Sequence, residues 1–336
     1  TLVLKPSGLF GRQEFTTQED RRSPDPPLRV GTGAMRVFCW GLLAIGLVLP
    51  LVVGEFAVVI LTEIAILSLF AASLHFLLWG GGLISFGHAA YFGLGAYGAG
   101  LAVFHLSLAM APALLLAPLA GAVGALLFGW FCVRLSGIYM AMLTLAFAQI
   151  AWSAAFQWIG FTGGDNGILG VWPSTWASEP LVFYYLAFGV CAAVIWGLRH
   201  TVFSPFGYTL RATRDSALRA AAIGIDVTRH RWLAFTLAGA AAGVSGGFFA
   251  FAKGSVFPEV LFVSTSIDGL VMVLLGGMQS LAGPILGAIA FTEMETELTR
   301  LTELWQLCLG ILIIVLVVVL PNGLVGLSSL LQRRRS

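Results

Sequence analysis

The sequence predicts an all-α protein, a polytopic bundle of transmembrane helices. Hydrophobic residues make up 58% of its 336 residues and charged residues only 10%, whereas a soluble domain carries about 25% charged residues. The mean hydropathy is +0.93. A β-barrel is excluded because it needs alternating polarity, and the run 311–320 is continuously apolar.

A helix needs roughly 20 apolar residues to cross the hydrocarbon core of a bilayer. Up to ten stretches qualify. In order, they are 37–53, 58–79, 89–106, 109–132, 138–158, 181–198, 232–252, 260–277, 283–292 and 305–320. The eighth and ninth are short and glycine-rich. They are either two crossings or one re-entrant element, so the prediction is eight to ten spans.

The basic residues predict the orientation. Of the 18 basic residues, 16 lie in four places, and only Lys253 and Arg300 lie elsewhere. The four places are a polar N-terminal arm (1–36), Arg134, a loop (199–231) and a basic tail (331–336). Positively charged segments stay on the cytoplasmic side. Six crossings lie between the arm and the loop, and four lie between the loop and the tail. Because both numbers are even, the three segments lie on the same side, and both termini are predicted to be cytoplasmic. The transmembrane domain is then 37–330.

Several functional classes are disfavoured. A net charge of +2 gives no basic field for nucleic acid. The four cysteines lack metal-ligand spacing, and there is no GxxxxGK[ST] phosphate-binding loop. We therefore expect no nucleic-acid partner, no metal, no cofactor and no enzymatic activity in this chain. Residues 243–247 match the GxSxG motif of a hydrolase nucleophile. They lie inside a predicted span, so the favoured interpretation of these small residues is helix packing.

Glycines interrupt two predicted spans, in separate parts of the chain. Such interruptions indicate a transporter's binding region. The alternative is close helix packing without substrate contact. The candidate translocation residues are Ser85, Phe86, Gly87, His88 and Tyr91 after the first interruption, and Gly276, Gly277, Ser280, Gly283 and Pro284 at the second.

Two loops carry further candidates. The predicted external loop 160–180 contains a run of residues typical of turns: Gly164, Asp165, Asn166 and Gly167. This run is either a surface for substrate or a partner, or an ordinary turn between spans. The cytoplasmic segment 207–226 predicts one short amphipathic helix that ends near Gly224. Its apolar face is Leu210, Ala217, Leu218, Ala221, Ala222 and Ile225, and Arg211, Asp215 and Arg219 form another face. We expect it to meet a cytosolic partner rather than anionic lipid.

Together these segments resemble the permeases of branched-chain amino acid ABC transporters, specifically the M-type subunit. The resemblance covers about residues 37 to 327. It rests on ISFGHAAYFG (84–93), LSGIY (135–139), TGGDNG (162–167), RATRD (211–215) with AIGI (222–225), and the segment 276–288. This chain departs from the family at Ala217 and Ala221, where members often carry glutamate, and at Arg219.

The resemblance implies a permease subunit in the bacterial inner membrane that imports branched-chain or related amino acids. Its partners would be a second permease subunit, two cytoplasmic ATP-binding subunits and a periplasmic binding protein, within membrane lipid. Arg211, Arg214, Asp215 and Gly224 would couple ATPase closure to the spans. Two alternatives stay open: a permease for urea or short amides, and an ion-coupled secondary transporter acting alone. The latter is disfavoured because Asp268 is the only acidic residue within the apolar part of the later spans.

Overall fold

The computed structural model describes residues 33–278, 280, 282–319 and 323–325. Nearly all of the predicted N-terminal arm and all of the basic tail therefore lie outside the described residues.

Helices account for almost all of the regular structure. They are α1 (Gly33–Val48), α2 (Glu55–His75), α3 (His88–Leu106), α4 (Met110–Cys132), α5 (Gly137–Gln157), α6 (Ile159–Thr162), α7 (Pro180–Val202), α8 (Pro205–Asp215), α9 (Ala217–Ala222), α10 (Val227–Lys253), α11 (Val263–Gly276), α12 (Gly283–Leu301) and α13 (Trp305–Val319). Two short strands, β1 (Ile168–Leu169) and β2 (Ser255–Val256), pair antiparallel. The predicted all-α class is confirmed.

Each of the ten predicted apolar stretches contains a helix. Within the described residues, six helices are long and apolar enough to span a membrane. They are α2 with its continuation to Gly81, α3, α4, α5, α7 and α10. Shorter apolar helices lie at Trp40–Leu51, Val263–Gly276 and Gln306–Leu316. A polytopic helical membrane bundle is thus confirmed.

The eighth and ninth stretches form a hairpin of α11 and α12. At about 1.5 Å per residue, the 14 residues of α11 cover roughly 21 Å, less than the roughly 30 Å of hydrocarbon. The bend after α11 contacts His75 through Met278, inside the 27-residue helix Glu55–Gly81 rather than at its end. The 19 residues of α12 cover roughly 28 Å, so of these two helices only α11 falls clearly short of a full crossing.

The centre of the bundle is α10, which packs mainly on α3 and α4. Small residues let these backbones approach: a Cβ atom at Gly246 would overlap the carbonyl oxygen of Phe92. Beside it, the Ser245 hydroxyl donates to the Ile66 carbonyl oxygen of α2 at 2.6 Å. The GxSxG segment therefore serves helix packing, as predicted.

Apolar residues also cover the outside of the bundle. On α4, side chains at successive spacings of four are exposed: Leu115 71%, Leu119 58%, Val123 53% and Leu127 61%. An exposed apolar stripe on a helix long enough to span a bilayer indicates that hydrocarbon rather than water surrounds it.

The two ends of the bundle differ. One end, called here the α8 end, carries α8 and α9 between the end of α7 and the start of α10. The other, called the far end, carries α6 and the β1–β2 pair, which ties residues 168–169 to the segment after α10.

The prediction of a single amphipathic helix over 207–226 is wrong. The chain is extended at Ser216 (φ −161°), whose hydroxyl accepts the Arg219 N–H and caps α9. The predicted apolar face is split as a result, because Leu210 is buried on α8 whereas Leu218 is 86% exposed on α9.

Substituting Gly246→Val tests this packing. The added side chain must displace the α3 backbone, and overpacking costs about 1–3 kcal/mol, so the thermal unfolding midpoint of the detergent-purified chain should fall. Gly189→Val on α7 is the control, since a Cβ there meets nothing within 4 Å. Equal midpoints for the two variants would contradict the close α3–α10 contact.

Candidate functional site

The first glycine interruption breaks the chain between α2 and α3. After His75 the helix widens into a π-type turn over Phe76–Gly81, which ends at Gly82 in the left-handed conformation (φ 63°). That backbone conformation favours glycine. Residues 83–87 are not helical, and α3 begins at His88.

His88 and Ser73 form a buried hydrogen bond at this break. The Ser73 hydroxyl donates to the Phe70 carbonyl oxygen at 2.7 Å and lies 2.8 Å from His88 Nε2. Because a hydroxyl has one proton, we infer that His88 Nε2 donates to Ser73. In the neutral ring, Nδ1 is then an acceptor. The ring stacks on Phe70, with centroids 5.6 Å apart.

Hydroxyl groups from two other helices satisfy backbone donors at the start of α3. The Ala89 N–H donates to Ser266 Oγ of α11 at 2.8 Å, and the Phe86 N–H donates to Thr144 Oγ1 of α5 at 3.2 Å. The first N–H groups of a helix have no partner within the helix, so these contacts hold the break in place at membrane depth.

Four of the five residues in the first predicted group are buried. Ser85 and His88 have no exposed surface, and Tyr91 is 1% exposed. Phe86 is half-buried and Gly87 buried. Ser85 Oγ and His88 Nδ1 are buried with no hydrogen-bond partner among the described residues. These two atoms can bind a polar ligand only after neighbouring helices separate.

The second interruption lies between α11 and α12. The Met278 carbonyl oxygen, next to Gly277, is 2.9 Å from His75 Nε2, and Ser280 Oγ accepts the Ala282 N–H at 3.2 Å. Gly276 and Gly283 are in backbone contact, and Pro284 stands in the first turn of α12. All five predicted residues here are buried.

The two interruptions therefore meet on one helix. Ser73 contacts the first and His75 the second, and residues two apart point in different directions on a helix. Ser73, Ser266 and Thr144 were not among the predicted residues, and His75 was not connected with the second interruption. The available signal was weak: single polar residues inside otherwise apolar spans.

The predicted external-loop residues lie at the far end, away from both interruptions. Asp165 and Asn166 are exposed, Gly164 is buried and Gly167 is half-buried. The segment is held in place by Thr162, whose hydroxyl donates to the Ala155 carbonyl oxygen at 2.6 Å. The predicted turn is thus a structured surface beside the β1–β2 pair.

At the α8 end, the four predicted coupling residues separate into two pairs. Arg214 Nη1 donates to the Trp79 carbonyl oxygen at 2.6 Å, and the Arg211 guanidinium lies 5.9 Å from the Trp79 ring centroid. Asp215 and Gly224 are instead exposed. A small cleft lies at this junction. It is lined by Phe76, Trp79, Gly80, Val202, Gly207, Leu210 and Arg211.

Broken helices around a closed polar site, inside a multi-pass bundle, define the class of membrane transport proteins. Over residues 56–317 the sequence matches the family described as the permease component of branched-chain amino acid transport systems. The chain belongs to this permease family.

The relatives agree with this assignment. The chain is 27% identical over 330 residues to the high-affinity branched-chain amino acid transport system permease protein LivM of Salmonella typhimurium, covering 90% of this chain and 78% of the relative. It is 26% identical to LivM of Escherichia coli over the same shares. The autoinducer 2 import system permease protein LsrC of Klebsiella pneumoniae is 30% identical over 169 residues, 48% of this chain and 45% of the relative. No solved structure matches the chain significantly.

Substituting Ser73→Ala tests the hydrogen bond between Ser73 and His88. It leaves the buried Nε2 donor without a partner, which costs about 1–3 kcal/mol, so the thermal unfolding midpoint should fall. Ser68→Ala is the control: Ser68 is buried on the same helix, and the described residues give it no hydrogen bond to another helix. In the His88→Ala background, Ser73→Ala should have little further effect; an undiminished effect there would argue against the pairing.

Proposed function

We propose that the chain is a transmembrane subunit of an ATP-driven importer of branched-chain or related amino acids. The observation that carries the proposal is the pair α8–α9. Its outer surface presents Leu218 at 86% and Ile223 at 75% exposure, while on its inner side Arg214 is bonded to the break that follows α2. A surface helix connected to a broken span is suited to transmit movement from a partner.

In this proposal the α8 end faces the cytoplasm of a bacterium, in its inner membrane, and the far end faces the periplasm. The Arg-rich composition of the α8 end supports this orientation. Leu218 and Ile223 would then contact one of two ATP-binding subunits. Asp165 and Asn166 would lie on the surface that receives a periplasmic binding protein, and exposed apolar helix faces would contact lipid and a second permease subunit.

Transport would proceed as a shift between outward- and inward-open states, which ATP drives by favouring one of them. The closed site at Ser85 and His88 corresponds to an occluded stage of that cycle. Separation of α2 from either interruption would expose these atoms, together with Phe86, Tyr91 and the Gly276–Pro284 bend, to a substrate. Small neutral hydrogen-bonding groups there suit a small polar ligand.

The choice of amino acids as substrates follows the names of the LivM relatives, which cover most of the chain. Urea or short amides are the alternative substrate class. Uptake of radiolabelled leucine by the assembled transporter, competed by unlabelled valine but not by urea, is the expected result.

One feature favours an ion-coupled transporter as a second candidate. Lys253 Nζ lies 2.8 Å from a Glu63 carboxylate oxygen, and the charges of both, with that of Asp268, act on Glu295. These groups come from four helices, and three of them are acidic. An ion-coupled transporter would bind its cation at such a place, and would then work in liposomes without any partner subunit.

Substituting Leu218→Asp tests the proposed ATPase contact. Burying a leucine side chain at an interface contributes about 1.5–3 kcal/mol, so co-purification of the ATP-binding subunits should weaken on the order of tenfold or more. Leu304→Asp is the control, because Leu304 is 67% exposed in the segment between α12 and α13. We expect leucine uptake to fall with Leu218→Asp alone.

Retention of the ATP-binding subunits by Leu218→Asp at the normal level would contradict docking through α9. Leucine uptake by the purified chain alone, driven by a sodium or proton gradient, would instead establish the second candidate.

A further inference from the structure

The turn that ends α2 leaves the last backbone carbonyls without their usual partners, and that of Trp79 is among them. In an α-helix the N–H of residue 83 bonds to the carbonyl of residue 79. Here the Leu83 N–H donates to the Leu77 carbonyl oxygen at 3.1 Å, and the Gly82 N–H donates to that of Leu78 at 3.1 Å. The Trp79 carbonyl therefore receives no backbone N–H from the described residues.

Arg214 of α8 supplies the missing donor. Its Nη1 lies 2.6 Å from the Trp79 oxygen, and a positive charge at a helix C-terminus is favoured by the helix dipole. The contact extends along the side chain, since a Cβ atom at Gly82 would lie 2.7 Å from Arg214 Cγ. The Arg211 guanidinium adds a contact with the Trp79 ring.

In the wide turn the Trp79 carbonyl accepts from Arg214, whereas in a continuous α-helix it would accept from the Leu83 N–H, which here bonds to Leu77 instead. We propose that Arg214 is a latch that holds the wide turn Phe76–Gly81 and that, when α8 moves away, the Trp79 carbonyl bonds to the Leu83 N–H and the turn rewinds as α-helix. This inference rests on the proposed function, in which a partner ATPase moves α8.

The sequence permits such a change at this place. Gly82 is left-handed (φ 63°) in the latched turn, and glycine adopts the right-handed helical conformation without a steric cost from a Cβ. Short π-type turns inside α-helices are frequent at functional sites. The consecutive glycines 80–82 therefore give the turn two accessible hydrogen-bonding patterns.

Rewinding would move the buried site. Leu83 changes its acceptor from residue 77 to residue 79, a difference of two residues or about 3 Å at helical rise. The following residues lead directly to Ser85 and to His88, which is bonded to Ser73. A displacement of α8 would thereby shift Ser85 Oγ and His88 Nδ1, the two atoms of the site that have no hydrogen-bond partner among the described residues.

The experiment measures the position of this segment by pulsed electron spin resonance, in the assembled transporter in nanodiscs. Spin labels are attached at Ile84→Cys and Leu115→Cys, both of which are exposed, after the native cysteines are replaced. In the nucleotide-free state, Arg214→Gln should shift the distance distribution by about 3 Å from that of the unsubstituted latch. Arg219→Gln, the same change on the exposed surface of α9, should not.

Gly82→Ala provides a second route to the same state. A methyl group there disfavours the left-handed conformation and collides with Arg214, so this variant should show the same shift even if Arg214→Gln fails to assemble. Both latch variants should bind the ATP-binding subunits normally yet lose leucine uptake, on the order of tenfold or more.

Distributions for Arg214→Gln and Gly82→Ala that coincide with that of the unsubstituted latch would overturn the proposal. Failure of the proposed function has a different signature: the chain would not retain ATP-binding subunits, and the label distance in the unsubstituted latch would not respond to ATP.

Discussion

The hydrogen-bonding needs of backbone groups in a bilayer govern this structure. Hydrocarbon offers no water to unpaired N–H and C=O groups, so a helix broken at membrane depth must find its partners within the protein. Each break here does so with side chains from distant parts of the chain. The hydroxyl groups of Thr144 and Ser266 accept hydrogen bonds from N–H groups near the start of α3. The Met278 carbonyl is paired with His75, and the Trp79 carbonyl is paired with Arg214.

These partners explain how a bundle with two broken segments can be rigid at its centre and still change shape. Around α10, helices pack backbone to backbone through small residues. At the breaks, single hydrogen bonds from side chains replace the continuous bonding of a helix. Such bonds individually contribute only about 1–3 kcal/mol. In the proposed cycle a partner would exchange one such bond for another, which costs less than separating the packed helices.

Much of the fold was predictable from the sequence, because a bilayer imposes a length and a composition on every span. The apolar stretches and both glycine interruptions could therefore be located without a structure. The partners of the breaks could not, since His75 and Met278 are 203 positions apart and Arg214 and Trp79 are 135 apart, and no periodic pattern connects them. The segment 207–226 was predicted as one helix because its helical periodicity is strong; the capping preference of Ser216 outweighed it.

In the proposed orientation the α8 end, with its arginine link to the broken helix, faces the side of the membrane on which ATP is available. Labelling of single cysteines with a membrane-impermeant maleimide in sealed, right-side-out vesicles tests it directly. Asp165→Cys should react in sealed vesicles, and Asp215→Cys should react only after permeabilisation. Reaction of Asp215→Cys in sealed vesicles would place α8 outside and contradict the account.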